Sequence, residues 1–200
     1  MNNGIIVYGS CYGTTKKYAE ELSKKTGIEA KPYEDIRDIN SFDTIIYMGG
    51  LYAGGVCGMK KTMKKLGSIS DKRVFIVTVG LADPMNTENT EHIKDRMRTQ
   101  LSKEVFEKAY IYHLRGGIDY SILGFKHKTM MSMLYKKIKS MPEEEKNAEI
   151  QAMIETYDKQ VDFVDFSSLE PIIQEVTRFG LICYNLKNSM WRVNYEERTN

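Results

Sequence analysis

Ser10-Cys11-Tyr12-Gly13-Thr14-Thr15 packs three aliphatic hydroxyls and a glycine into six residues. The apolar run 5–8 comes just before it, and Tyr18, Ala19 and Leu22 follow at the spacing of one helix face. A small polar turn between a strand and a helix start gathers hydroxyls and backbone N–H groups at the positive end of the helix. The chemistry open to it is anion binding, and a phosphate ester is the expected anion. The same residues also suit an ordinary turn and helix cap. The turn lacks GxxxxGK[ST] and GxGxxG, which argues against a triphosphate loop and a dinucleotide fingerprint.

Two more loops carry glycine. Residues 49–58 include Gly50, Leu51, Tyr52, Ala53 and Gly54, where backbone can approach a flat ring and Tyr52 can stack on it. Residues 80–84 offer Gly80, Leu81, Ala82 and Asp83 before Pro84. Asp83 can hold a polar edge of a ring, although Asp-Pro is equally a turn signal, and no proton-transfer role is assigned to it. No catalytic triad or paired carboxylates stand out, and His92, His113 and His127 are too dispersed to read as a metal site. Cys11, Cys57 and Cys183 lack CxxC spacing and read as free thiols of a reducing cytoplasm.

The elements that must position these loops alternate. Strands are expected at 5–8, 29–33, 44–48, 73–79 and 109–114, with Pro32 marking a sheet edge. Helices are expected from Thr14 to a stop at Gly27, over 59–66, and from a cap at Asn86 or Thr87 through Met97 and Leu101. This α/β alternation predicts a doubly wound, five-stranded parallel sheet of order 2-1-3-4-5 with helices on both faces. Ligands then sit at the carboxyl edge of the strands, where the winding reverses. The loops after the first, third and fourth strands all lie there.

Length and composition bound the function. Two hundred residues with 42% hydrophobic and 28% charged side chains suit one globular domain, expected over 1–180. A net charge of +2 and the lack of a recognised motif argue against a nucleic-acid partner. The absence of a signal-type start or a membrane-length apolar run leads to an expectation of cytoplasmic location.

Ser10, Gly13, Thr14 and Thr15 match the flavodoxin phosphate loop, Thr/Ser-x-Thr-Gly-x-Thr, and Tyr12 departs from it with a bulkier phenol. Residues 5–115 resemble the flavodoxin superfamily. The segments 47–54 and 109–116, the basic run after Ile122 and residues 161–166 resemble one branch, the proteins related to the flavodoxin-type, quinone-linked protoporphyrinogen oxidase. The resemblance implies FMN as cofactor and electron transfer, with a redox partner or quinone. Lys60 or Lys61 and Arg115 are then candidates for substrate carboxylates, and Ser10 to Thr15, Gly50 to Gly54 and Gly80 to Asp83 for the flavin.

A helical insertion is expected at about 117–160. Its stretch 124–139 joins lysines to a methionine-rich apolar face. The resemblance implies substrate or membrane contact for this stretch; its composition suits peripheral contact with the inner face of a membrane, or a helix packed on its own sheet with solvated lysines. Pro142 and Glu143 to Glu145 are expected to open another helix. A last helix, capped by Ser167 or Ser168, is expected to bury Leu169, Ile172, Ile173 and Val176 and stop at Gly180. The extension 181–200 can add a strand, cover a patch or mediate self-association. Three functions stay open: an FMN-dependent oxidoreductase, an electron carrier with no substrate of its own, and a flavin-free module. A pI near 8.3 weighs against the acidic carriers.

Overall fold

A computed structural model of the chain describes residues 3–52 and 54–178. Six strands form the main sheet: β1 (Gly4–Gly9), β2 (Glu29–Pro32), β3 (Thr44–Tyr52), β4 (Gly55–Val56), β5 (Arg73–Gly80) and β6 (Tyr110–Arg115). The order is β2-β1-β3-β5-β6 and every one of these neighbours is parallel. The short β4 folds back on β3 as a hairpin. With that hairpin set aside, the order is the 2-1-3-4-5 expected from the alternation.

The strands are apolar at consecutive positions because the sheet is buried on both faces. Side chains alternate between two cores. Ile5, Val7, Ile45, Tyr47, Val74 and Ile76 face one core, with Met59, Met63, Ile93, Met97 and Val105. Ile6, Ile46, Met48, Phe75 and Val77 face the other, with Tyr18, Ala19, Leu22, Leu169, Ile172 and Val176. The helices that cover the first core are α2 (Met59–Met63), α3 (Thr87–Arg98) and α4 (Lys103–Lys108). The second is covered by α1 (Thr14–Thr26) and by α7, residues 170–178. Ile173 is only partly buried.

Local chemistry sets most boundaries. Gly27 ends α1 in the left-handed conformation (φ 72°) and donates its N–H to the Ser23 carbonyl. Asn86 caps α3 by accepting from the Asn89 N–H. Several boundaries differ from the sequence expectation. β3 continues to Tyr52, so the first part of the expected 49–58 loop is strand, because the backbone there finds the β4 partner. α2 stops at Met63, and α3 at Arg98, where Leu101 is left to the following turn and Ser102 caps a separate α4. Asp165, not Ser167 or Ser168, accepts the capping bond, and the first turn it opens is a 3-10 turn, Phe166–Leu169. The expected stop at Gly180 and the extension 181–200 lie outside the described residues.

Between β6 and α7 the chain builds a second, smaller layer. β7 (Gly117–Asp119) and β8 (Gln160–Asp162) pair antiparallel and frame α5 (Phe125–Lys139) and α6 (Ala148–Thr156). Glu143–Glu145 form only a 3-10 turn, and the α-helix starts later, at Ala148, on an Asn147 cap. This layer has its own apolar cluster of Ile118, Tyr120 and Met131, and Tyr12 and Leu81 of the main domain pack into it. No helix among the described residues is long and apolar enough to cross a membrane.

Candidate functional site

The turn after β1 is shaped by its own polar groups. Ser10 Oγ accepts from the N–H groups of Gly13 (3.1 Å) and Lys16 (3.3 Å), which folds the loop over the start of α1. The Ser10 hydroxyl proton is thereby left free to donate. Gly13 sits at φ 89° with open space where a Cβ would project. Thr15 is buried, and Thr14 Oγ1 lies 3.5 Å from the Gly117 carbonyl. Lys16 points outward and pairs with Glu20 at the surface.

Close approach of neighbouring side chains to the backbone explains the second glycine group. A Cβ on Gly50 would meet Thr15 Oγ1 at 3.0 Å, so the β3–β4 hairpin lies directly on the first turn. On Gly80 it would meet Leu51 Cδ1 at 2.7 Å, and on Gly116 Val79 Cγ1 at 2.7 Å. The three loops therefore touch one another at the carboxyl edge of the sheet, where the winding reverses.

A cavity of about 420 Å³ opens between these loops and the insertion, in the range of small-molecule sites. Of the residues expected in a site, Cys11, Tyr12, Thr14, Thr15, Gly50, Leu51, Tyr52, Gly54, Gly80 and Leu81 line it. Ser10 and Gly13 do not line it; Ser10 lines a separate open groove instead. Ala82 is buried and does not reach the cavity wall. Asp83 is exposed, and its carboxylate accepts from the Met85 N–H at 2.8 Å, the turn alternative for that residue. Ala53 lies outside the described residues.

No residue of the remaining wall was read from sequence as a flavin contact, although the resemblance implies substrate or membrane contact for the stretch 124–139. Met130, Met131, Leu134 and Ile138 of α5 and Ile150 and Met153 of α6 roof the cavity. Gly116, Gly117 and Ile118 close one side. The methionine-rich face of α5 was the available signal, but periodicity says only that a face is apolar, not what it covers. Tyr12 and Tyr52 join floor to roof. Tyr12 donates its hydroxyl to Met131 Sδ at 3.4 Å, and Tyr52 to Met130 Sδ at 2.9 Å. The two rings lie 6.1 Å apart at 58°. Tyr12 thus turns its phenol to the roof and away from the turn it departs from in type. Arg96 on α3 and Glu149 on α6, both at the cavity wall, form an ion pair that ties the roof to the main domain.

The electrostatics suit a site that is mostly apolar. Burial raises the Tyr12 and Tyr52 phenols above their ordinary range, so both are neutral donors near neutral pH. Arg96 is balanced by Glu149, while Lys137 at the cavity edge brings positive charge to the wall. Arg115 does not: its Nε donates to the Leu81 carbonyl at 3.0 Å and its guanidinium lies 3.9 Å over the Phe163 ring. Lys61 stands over the Tyr33 ring, while Lys60 lines a separate open groove. His113 lies in the sheet, not at the loops. Its Nδ1 is 2.7 Å from Thr78 Oγ1, and burial lowers its pKa to about 4. Among the described residues no group of three His, Cys, Asp or Glu side chains is placed to hold a metal ion.

Comparison with solved structures finds a Lactobacillus acidophilus flavoprotein in complex with FMN, at 15% identity over 57% of this chain and 93% of that one, with a TM-score of 0.38. It also finds a Fusobacterium nucleatum flavodoxin variant bound to flavin mononucleotide, at 18% identity over 60% and 79% of the two chains, with a TM-score of 0.38. Comparison with curated proteins finds no match. The family described as "Flavodoxin domain" matches residues 5–146. That span takes in the whole parallel sheet, all three loops and α5, and the chain belongs to the flavodoxin-domain family.

Proposed function

We propose that this chain binds FMN at the three-loop edge and acts as an oxidoreductase on a flat, apolar substrate, related in activity to the quinone-linked protoporphyrinogen oxidases. The observation that carries this reading is the cavity of about 420 Å³ that the loops share with the roof of α5 and α6. A carrier that only passes electrons needs an exposed cofactor edge, whereas a roofed apolar space suits a bound substrate. The donor set fits a phosphate. Ser10 keeps a hydroxyl proton to donate because its oxygen accepts from the Gly13 and Lys16 N–H groups, and Thr14 and Thr15 open α1 at its positive end. The apolar walls fit a flat ring, with Leu51, Tyr52 and Leu81 excluding water from it.

Bound FMN supplies hydride and electron transfer. The chain's own residues bind, orient and exclude water. Tyr12 and Tyr52 hold the methionines of the roof over the loops, and Lys137 offers a cation to a substrate carboxylate in place of the engaged Arg115. Ile122 and Phe125 are exposed beside Lys126 and Lys128, a composition that favours an anionic bilayer surface. Co-sedimentation with anionic but not neutral vesicles is expected, and recovery in the supernatant with both removes the membrane contact.

The test of the main reading has two stages. Titration with FMN, followed by quenching of flavin fluorescence, is expected to saturate at one equivalent; a chain that takes up no FMN removes the flavin role. The loaded protein is then given protoporphyrinogen and a quinone with oxygen excluded. Quinone reduction supports the oxidase activity. A loaded protein that reduces neither quinone nor dye, yet exchanges electrons rapidly with a flavodoxin reductase, is a carrier instead.

A further inference from the structure

Cys11 and Cys57 lie 46 positions apart in the chain, yet their sulfurs are 3.1 Å apart. We propose that they form a reversible dithiol–disulfide couple that exchanges two electrons with small-molecule disulfides. The pair stands at the wall between two spaces. Cys11 lines the roofed cavity, and both cysteines line an open groove of about 720 Å³ on the other side. That groove leaves room for a reagent of the glutathione class, and Lys60 on its rim supplies a cation for such a reagent's carboxylates.

The surrounding backbone holds the two sulfurs in place. The Cys57 N–H donates to the Gly50 carbonyl at 2.9 Å, and its carbonyl accepts from the buried Tyr47 hydroxyl. Gly58 follows at φ 74°, where a Cβ would strike the Tyr33 ring at 2.6 Å. Cys11 is fixed by the Ser10-pinned turn. A disulfide needs sulfurs at about 2.05 Å, so closure asks for roughly 1 Å of approach and no rearrangement of strands. The two thiols are unequal. The start of α1 lies just beyond Cys11 and its positive end favours a thiolate there, the same direction in which the shared contact lowers the Cys11 thiol, while that contact and burial raise Cys57. Cys11 is therefore the attacking sulfur and Cys57 the resolving one.

The exchange balances in two displacements. Cys11 thiolate attacks one sulfur of a disulfide RSSR, forming Cys11–S–S–R and releasing RS⁻. Cys57 then attacks Cys11 Sγ, the second RS⁻ leaves, and the proton of each cysteine ends on a released thiol. The chain's two thiols become one disulfide, and RSSR becomes two RSH. Oxidation ties the turn after β1 to the β3–β4 hairpin. This inference stands on the cysteine geometry and does not require FMN to bind.

The test uses the full chain with Cys183→Ser, so that only these two thiols remain. It is equilibrated in buffers of reduced and oxidised glutathione, quenched with acid and N-ethylmaleimide, and read by mass spectrometry of the intact chain and its peptides. Toward the oxidised end, loss of two hydrogen atoms, no maleimide uptake and a Cys11–Cys57 linked peptide are expected. Adding Cys57→Ser should trap one glutathione on Cys11, about tenfold faster than the Cys11→Ser version traps one on Cys57. Separate glutathiones on both cysteines, or two free thiols throughout the range, overturn the proposal. Each sample is run with and without FMN and its flavin uptake read separately, so a failure to bind FMN leaves the cysteine result intact.

Discussion

Gly9 has no side chain because a Cβ there would lie 2.1 Å from the Cys57 carbonyl oxygen. The obstacle is backbone, held by Tyr47 and Gly50, so it cannot swing aside. Gly9→Ala is expected to cost about 2–3 kcal/mol, the range of an overpacked core site, measured as a lower urea midpoint with unchanged slope. An unchanged midpoint would mean the hairpin yields. His113 makes a second case at this scale. Its folded pKa of about 4 lies below the ordinary value of 6.5 because burial disfavours the cation. Between those values the unfolded chain binds more protons than the folded one, so stability is full above pH 6.5 and falls as pH drops toward 4. The loss is on the order of 2 kcal/mol after allowing for solvent at its open edge. His113→Gln is expected to flatten the stability curve in that window; a curve parallel to that of the unchanged chain would show that other groups cause the drop.

Among the elements, the strands and α1 were legible in sequence for a simple reason. A parallel sheet buried on both faces needs consecutive apolar residues, and 5–8, 44–48 and 73–79 supply them. The stop at Gly27 and the cap at Asn86 were legible because each satisfies helix-end backbone groups within a few residues. The extension of β3 to Tyr52 was not, because β4 pairs with it only once the hairpin has closed. The role of α5 was equally hidden. Its methionines read as an apolar face, while their partners Tyr12 and Tyr52 lie far away in the chain. The Arg96–Glu149 pair that holds the roof is partly shielded, with side-chain exposures of 29% and 14%. Glu149→Gln is expected to loosen α5 and α6 locally by about 1–2 kcal/mol, less than for a fully buried pair, seen as roughly tenfold faster amide exchange over residues 125–156. Exchange in β1, β3 and β5 should stay as it was; a uniform rise would mean the insertion and the sheet unfold as one unit.

For the whole molecule, ligand linkage gives the decisive number. If the three loops and the roof together hold FMN, free FMN at about one hundred times its Kd should stabilise the chain by about 2.7 kcal/mol. For a domain of this size that corresponds to a thermal midpoint higher by about 5–10 °C. A midpoint that does not move with FMN concentration would remove the cofactor from the account.

Local pattern determined the five parallel strands, the order of the sheet, the stop at Gly27 and the cap at Asn86, and the edge at which three glycine-bearing turns gather. Each of these depends on contacts within a few residues or on the handedness of short crossovers. Only the tertiary structure decided that the insertion roofs that edge, that Tyr12 faces Met131 across 119 positions, and that Cys11 meets Cys57 across 46. Such meetings depend on where distant loops are brought by two packed cores, and no periodicity in the chain carries that information.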